Sequence, residues 1–373
     1  MPKACAFVDG CGLRLLLRIS ATLCLWTLCR SETKNAAARI TVSGQSSGGS
    51  MAVQHLFAFS SVVDGAAIAA GSPYGCGALP NEMLACYTGP VDIQGSIAYA
   101  RWREARGEID SLENLAKPIL LFNGREDYTV YIDVMRAVSK QLQALAPSFQ
   151  IEQRFRTNAA HVWSVDNGPC SCGSCIVPGA DSPECCDVNN CGYELSADML
   201  RHFFGELSEP AATDSSSLWW YDQHAYIPQG WNETWVSHGL WKWGFAYVPK
   251  SCLGMLSSCR IHVHYHGCIG KKWFRRHLWS RLLGVDNFAE TNRLIVLYPQ
   301  AAGDKQTGVG CWNWLSTKSD PHFDTQKSVQ LRTVMAIVQD FEKVLGGAFQ
   351  VPENSTAEWY SRAELLQRDV VTV

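Results

Sequence analysis

Ser46, Asp127 and His161 have the side-chain types and the chain order that acyl-transfer chemistry needs. A serine hydroxyl is a weak nucleophile at neutral pH. It requires a base at hydrogen-bonding distance, and the base requires a third group to orient it. Ser46 lies in Gly44-Gln45-Ser46-Ser47-Gly48, a G-x-S-x-G pattern, and sites on such an elbow run serine, acid, histidine along the chain. Asp127 stands in Gly124-Arg125-Glu126-Asp127-Tyr128-Thr129-Val130, directly after an apolar run. Glu126 and Asp133 are its rivals, with poorer settings. His161 sits in Asn158-Ala159-Ala160-His161-Val162-Trp163, after a further short apolar run. His55, only nine residues beyond Ser46, reads as structural. The oxyanion of a tetrahedral intermediate needs N–H donors, each worth about 3 kcal/mol of barrier. The backbone N–H groups of Ser47 and Cys268 are the candidates. A lone G-x-S-x-G is common in Gly/Ser loops, so the case rests on what surrounds it.

The surroundings are those of a strand, a tight turn and a helix. Ile40-Thr41-Val42 is β-branched, and an apolar helical pattern runs on through Phe59. Gly44 and Gly48 fall where a Cβ would collide with a neighbouring strand or helix, and the turn forces Ser46 into a strained backbone region. Strands are expected at 63–70, 118–122, 150–155, 260–265 and 293–298, and helices at 131–145, 196–207 and 327–345. Residues 76–116 read as irregular to helical, with Cys76 and Cys86 bracketing a loop that a disulfide would close. Alternating strands and helices predict a mostly parallel sheet covered on both faces. An α/β-hydrolase normally places several strands before its nucleophile, whereas here the elbow comes almost first. RIHVHY at 260–265 and RLIVLY at 293–298 supply the missing pair, so the fold is expected to be circularly permuted. The predicted layout is a signal peptide and short leader (1–38), a single catalytic domain (39–348) and a polar tail (349–373). Within the domain, residues 39–207 carry nucleophile, acid and base. Residues 218–348 carry the oxyanion strand and an aromatic groove, and 208–217 form a linker.

Of 373 residues, 47% are hydrophobic and 18% charged, with a net charge of −3. Such a chain is globular, and the charge gives no footing to a nucleic-acid or anionic-membrane partner. Arg14 and Arg18 precede an apolar run, Ile19 to Cys29, of signal-peptide length. A secreted chain, with no membrane attachment after signal removal, is therefore expected; a retained anchor is the alternative. Cleavage would leave an even twelve of the sixteen cysteines. Sequons at Asn232 and Asn354 are compatible with that route. The cluster Cys170, Cys172, Cys175, Cys185, Cys186 and Cys191 includes a C-x-x-C that zinc would suit, but secretion favours disulfides. His262, His264 and His266 share one strand face; the structural role is preferred to a zinc site, so neither a metal nor a cofactor is expected. The tryptophans read mainly as core, with Trp312 and Trp314 of Gly-Cys-Trp-Asn-Trp as candidates to line a substrate groove.

The segments VSGQSSGGSMAVQ, PILLFNGREDYTV, the His161 loop, NNCGYELSADMLRHFFG, AYVPKSC, CRIHVHYHGC, ETNRLIVLYPQ and GCWNW run in order from about residue 40 to 315. Together they resemble the extracellular poly(3-hydroxybutyrate) depolymerases of the single-domain, circularly permuted kind. The resemblance implies Ser46, Asp127 and His161 as triad, Ser47 and Cys268 as oxyanion donors, and Trp312 and Trp314 near the substrate. It also implies disulfides Cys268–Cys311 and Cys252–Cys259 and a polyester or oligomeric hydroxyalkanoate substrate; a monomer is expected. Gln45 departs from the pattern, which has an apolar residue there. The pattern shades into feruloyl and acetyl esterases of plant polysaccharides. A reading from another class is a catalytically silent polymer-binding protein.

Overall fold

A computed structural model describes residues 40–80, 82–147, 151–168, 170–173, 187–231, 238–253, 259–268, 276–304, 307–316, 320–346 and 359–361. The signal-peptide run, both sequons, and Cys175, Cys185 and Cys186 lie outside the described residues. In chain order the elements are β1 (Ile40–Gln45), α1 (Ser47–Ala58), β2 (Val63–Ala69), α2 (Ala85–Thr88), α3 (Ile93–Ala105), β3 (Ile119–Phe122), α4 (Ile132–Leu145) and β4 (Ile151–Arg154). There follow β5 (Trp163–Val165), β6 (Val188–Asn190), α5 (Leu195–Phe204), β7 (Leu218–Asp222), β8 (Trp243–Tyr247), β9 (Arg260–Tyr265), α6 (Arg276–Leu282) and α7 (Val285–Asn292). The chain closes with β10 (Leu294–Tyr298), the short pair β11 (Gly303–Asp304) and β12 (Gly308–Val309), α8 (Val329–Gly346) and β13 (Trp359–Ser361).

One nine-stranded sheet organises the protein, in the order β13-β7-β8-β10-β9-β1-β2-β3-β4. The run from β10 to β4 is parallel; β8, β7 and β13 extend it antiparallel. The elbow strand β1 therefore lies mid-sheet, between β2 from the early half and β9 from the late half, with Ile40 opposite both Val63 and Ile261. This is the permuted α/β-hydrolase arrangement that the strand order implied.

Both faces of the parallel run are buried, as period-2 side-chain alternation demands when helices cover a sheet on two sides. One face sets Ile40, Val42, Ile68, Leu121, Val263 and Leu297 against apolar residues of α1, α4 and α8, among them Leu56, Val138 and Val338. The other packs Ala67, Leu120, Phe122, Val296 and Tyr298 against α5 and α7 through Met199, Leu200, Phe288 and Ala289.

On that second face β1 and β9 are polar, and the histidines of β9 have internal partners. Thr41 Oγ1 meets His262 Nδ1 at 2.8 Å, and Ser43 Oγ lies 2.7 Å from both His262 Nε2 and His264 Nδ1. Total burial holds His262 down to about 3, so its imidazole is neutral and suited to this hydrogen-bonded seam. His266 accepts the N–H of Ala301 on Nε2.

Four disulfides join described cysteines: Cys76–Cys86, Cys172–Cys191, Cys252–Cys259 and Cys268–Cys311. Two segments add strands beyond those expected from the sequence. The aromatic stretch after residue 217 is an antiparallel extension of the main sheet, with Leu218, Trp219 and Trp220 opposite Tyr247, Ala246 and Phe245. The tail is not polar throughout: Trp359, Tyr360 and Ser361 pair with Tyr221, Trp220 and Trp219. The linker-like segment is tied down as well. Ala211 exchanges hydrogen bonds with Asn287, and Asp214 accepts from Ser216 and pairs with Lys250.

Candidate active site

The elbow is built by close approach. A Cβ on Gly44 would overlap the Gly48 carbonyl, and one on Gly48 would overlap the carbonyls of Tyr265 and His266. The turn thus seats α1 directly against the end of β9, where no side chain would fit. Ser46 has φ 59° and ψ −124°, a conformation that costs a non-glycine residue of order 1–3 kcal/mol. Two backbone bonds hold it there, Ser46 N–H to Ala69 O at 2.9 Å and Ser50 N–H to Ser46 O at 3.0 Å.

Asp127 and His161 arrive as a pair. His161 Nδ1 is 2.8 Å from Asp127 Oδ2. Asp127 is buried, and its other oxygen accepts the N–H groups of Thr129 and Val130 at 2.9 and 2.8 Å. That geometry fixes the carboxylate as acceptor and assigns the histidine proton to Nδ1, leaving Nε2 as the basic nitrogen. The rival Asp133 turns to Arg136 on the exposed side of α4. His55 is wholly buried between Tyr265 Oη and Met335 Sδ, a structural position.

Two backbone bonds weld the acid loop to the histidine segment, Arg125 N–H to Thr157 O and Glu126 N–H to Ala159 O. Gly124 packs so tightly on the Ala159 carbonyl that a Cβ there would overlap it. Gln45, the last residue of β1, donates Nε2–H to the backbone oxygen of His161 at 3.3 Å. Ser46, Asp127 and His161 follow the carboxyl ends of β1, β3 and β4, where ligands of open α/β sheets bind.

The late half closes in from the other side. The Gly267 backbone lies against Ser46, so that a Cβ there would come 3.2 Å from Ser46 Cβ. Cys268 follows at once, exposed and anchored by its disulfide to Cys311. Trp312 N–H donates to Ser47 Oγ at 3.3 Å, tying the Cys311 segment to the start of α1.

Trp312 itself is fully buried, in edge contact with Tyr265 and tilted on His266. It has no surface to offer a groove, which corrects the expectation that it lines one. Trp314 is nearly buried and packs edge-on against Tyr87. Among the described residues the exposed aromatics of this region are Tyr128 and Tyr131, which residue types and spacing did not single out. Tyr128 directly follows Asp127, a proximity legible in the sequence, but its 68% exposure depends on the turn. Among the described residues no group of three or more His, Cys, Asp or Glu could hold a metal ion.

Elbow, acid–histidine pair and permuted sheet together define the architecture of an α/β-hydrolase. No family model matches the sequence. The chain is 29% identical to a poly(3-hydroxybutyrate) depolymerase of Delftia acidovorans over 314 residues, 82% of this chain and 60% of that one. It is also 29% identical to a polyhydroxybutyrate depolymerase of Talaromyces funiculosus, over 81% of this chain and 90% of that one. The chain thus spans less than two thirds of the length of the Delftia relative. Among solved structures, a PHB depolymerase serine-to-alanine variant complexed with an R3HB trimer superposes with a TM-score of 0.71 at 27% identity. A PHB depolymerase from Penicillium funiculosum gives 0.68 at 26%. Each superposition covers 84% of this chain and 97% of the other. In sequence and fold alike, the chain is similar to the poly(3-hydroxybutyrate) depolymerases.

Proposed function

We propose that this protein is a secreted serine esterase that hydrolyses poly(3-hydroxybutyrate) or related short-chain hydroxyalkanoate polyesters and their oligomers. The observation that carries the reading is the buried Asp127 carboxylate bonded to His161 Nδ1, beside a serine held at φ 59° on the same edge of the sheet. In the proposed reaction His161 Nε2 takes the proton as Ser46 Oγ attacks the ester carbonyl. The N–H groups of Ser47 and Cys268 receive the oxyanion. Collapse breaks the ester C–O bond, His161 protonates the departing alcohol oxygen, and the acyl group stays on Ser46. Water, deprotonated by the same histidine, then releases the acid and restores the serine.

An apolar polymer as substrate is supported by the surface beside Asp127. Tyr128 and Tyr131 are exposed, and Tyr131 N–H bonds Tyr87 O on the segment that also exposes Met83 and Leu84. Secretion is supported by the disulfides, which persist in oxidising compartments.

Ser46→Ala is expected to abolish turnover of p-nitrophenyl butyrate while the circular dichroism spectrum is unchanged; retained turnover would sink the assignment. Substrate class is decided by a panel of polyhydroxybutyrate film, soluble hydroxybutyrate oligomers, and feruloylated or acetylated sugars. Release from the sugars alone would overturn the polyester reading and leave the esterase chemistry standing.

A further inference from the structure

Gln45 occupies a position where a polar side chain is costly. It is 3% exposed, at the end of a central strand and on the face packed with Ala69, Phe122, Ala160 and Val162. A buried amide pays for desolvation unless hydrogen bonds replace its water. Its Nε2 finds the His161 carbonyl at 3.3 Å, and its Oε1 is buried with no hydrogen-bond partner. The amide thus keeps one hydrogen bond, to the main chain of the histidine, and stands next to the proposed nucleophile.

What that contact joins is informative. Asp127 and His161 form one rigid unit, held by their own hydrogen bond and by the two backbone bonds between their loops. That unit stands on β3 and β4, whereas Ser46 stands on β1, with β2 between them. Backbone pairing connects the strands but fixes the histidine only through several intervening loops. Gln45 links the residue beside the nucleophile directly to the main chain of the base.

We propose that Gln45 is a positioning residue that sets the distance and orientation of His161 relative to Ser46. The inference rests on the serine-esterase reading above. Proton transfer demands a near-attack geometry, and a displacement of about 1 Å costs about a hundredfold in rate. Loss of the contact is thus expressed in the acylation rate, since Gln45 faces the histidine backbone and not the substrate.

The test measures fluorophosphonate inactivation rates, and kcat and KM for p-nitrophenyl butyrate, on the full chain. Gln45→Met, similar in length but without a donor, and Gln45→Asn, one methylene short, are expected to slow inactivation and kcat about ten- to a hundredfold. KM should stay within about twofold, because substrate contacts are untouched. Gln45→Glu adds a pH signature. Its neutral acid donates an O–H to the His161 carbonyl, whereas its carboxylate repels it. Activity of this variant relative to wild type should therefore fall as the introduced carboxyl ionises. Wild-type inactivation rates in Gln45→Met, or a Gln45→Glu pH profile matching wild type, would overturn the inference. Should Gln45→Met fail to fold, the Gln45→Glu profile decides alone. Failure of fluorophosphonate to label the wild-type protein overturns both this inference and the esterase reading; labelling of wild type and Gln45→Met at equal rates overturns only the inference.

Discussion

Asp127 gives one hydrogen-bonding oxygen to His161 and the other to two backbone N–H groups, so its role can be probed without dismantling its loop. Asp127→Asn retains a carbonyl oxygen for Thr129 and Val130 but presents an amide to the imidazole, forcing the wrong tautomer. Esterase kcat is expected to drop by about 10⁴ with little change in thermal midpoint, a loss of the kind seen when a triad aspartate becomes an amide. The elbow glycines should behave oppositely. Gly48→Ala drives a methyl into the carbonyls of Tyr265 and His266 at the end of β9, so soluble yield and folding should fail before activity can be measured. The elbow glycines and the Asp127 loop both stand out in the sequence, from their motif and from the apolar runs before them. Gln45 was visible only as an oddity in the motif. Its partner is a backbone oxygen 116 residues away, and nothing local announces such a contact.

At the scale of elements, the parallel core was legible because its strands are short apolar runs separated by helical patterns; β9, at Arg260–Tyr265, has the bounds its pattern predicts. β7 and β8 were not. Their sequences, LWWYD and WGFAY, are aromatic without clean alternation, and what makes them strands is antiparallel pairing to each other and to β10. The histidines of β9 were read as structural rather than as metal ligands, but their partners were not legible, since Thr41 and Ser43 come from a strand 219–221 residues away. His262→Phe leaves both hydroxyls short of a partner inside the sheet. We expect a loss of about 1–3 kcal/mol in urea unfolding, with esterase KM unchanged in the folded fraction.

For the whole molecule, buried titratable groups set how stability follows pH. Asp286 is wholly enclosed, accepts the Tyr298 hydroxyl at 2.6 Å, and is pushed up to about 7 by desolvation. Its folded value lies above the unfolded one near 3.9, so the native state holds the extra proton. The stability it contributes is complete below about pH 4 and is lost as pH rises towards 7. Asp286→Asn keeps the oxygen for Tyr298 and cannot ionise. Between pH 4 and 7 the variant should therefore gain on wild type by up to about 1.4 kcal/mol per pH unit, measured by denaturant midpoints. A variant-to-wild-type difference independent of pH would contradict that assignment. Buried His55, held down to about 3, acts in the reverse sense: its contribution is complete above about 6.5 and is lost as pH falls.

The register that sets Ile40 opposite Ile261 also has a consequence in time. Synthesis proceeds from the amino end at roughly 5–20 residues per second. The strand that leads into Ser46 thus leaves the ribosome on the order of ten to forty seconds before the strand that completes its flank. Throughout that interval the future centre of the sheet is an open template for any extended chain nearby. A protein so ordered benefits from a holdase, or from passage through a translocation channel that delays all pairing until synthesis is done. The yield of soluble protein should depend on how the nascent chain is chaperoned more than on the stability of the finished fold.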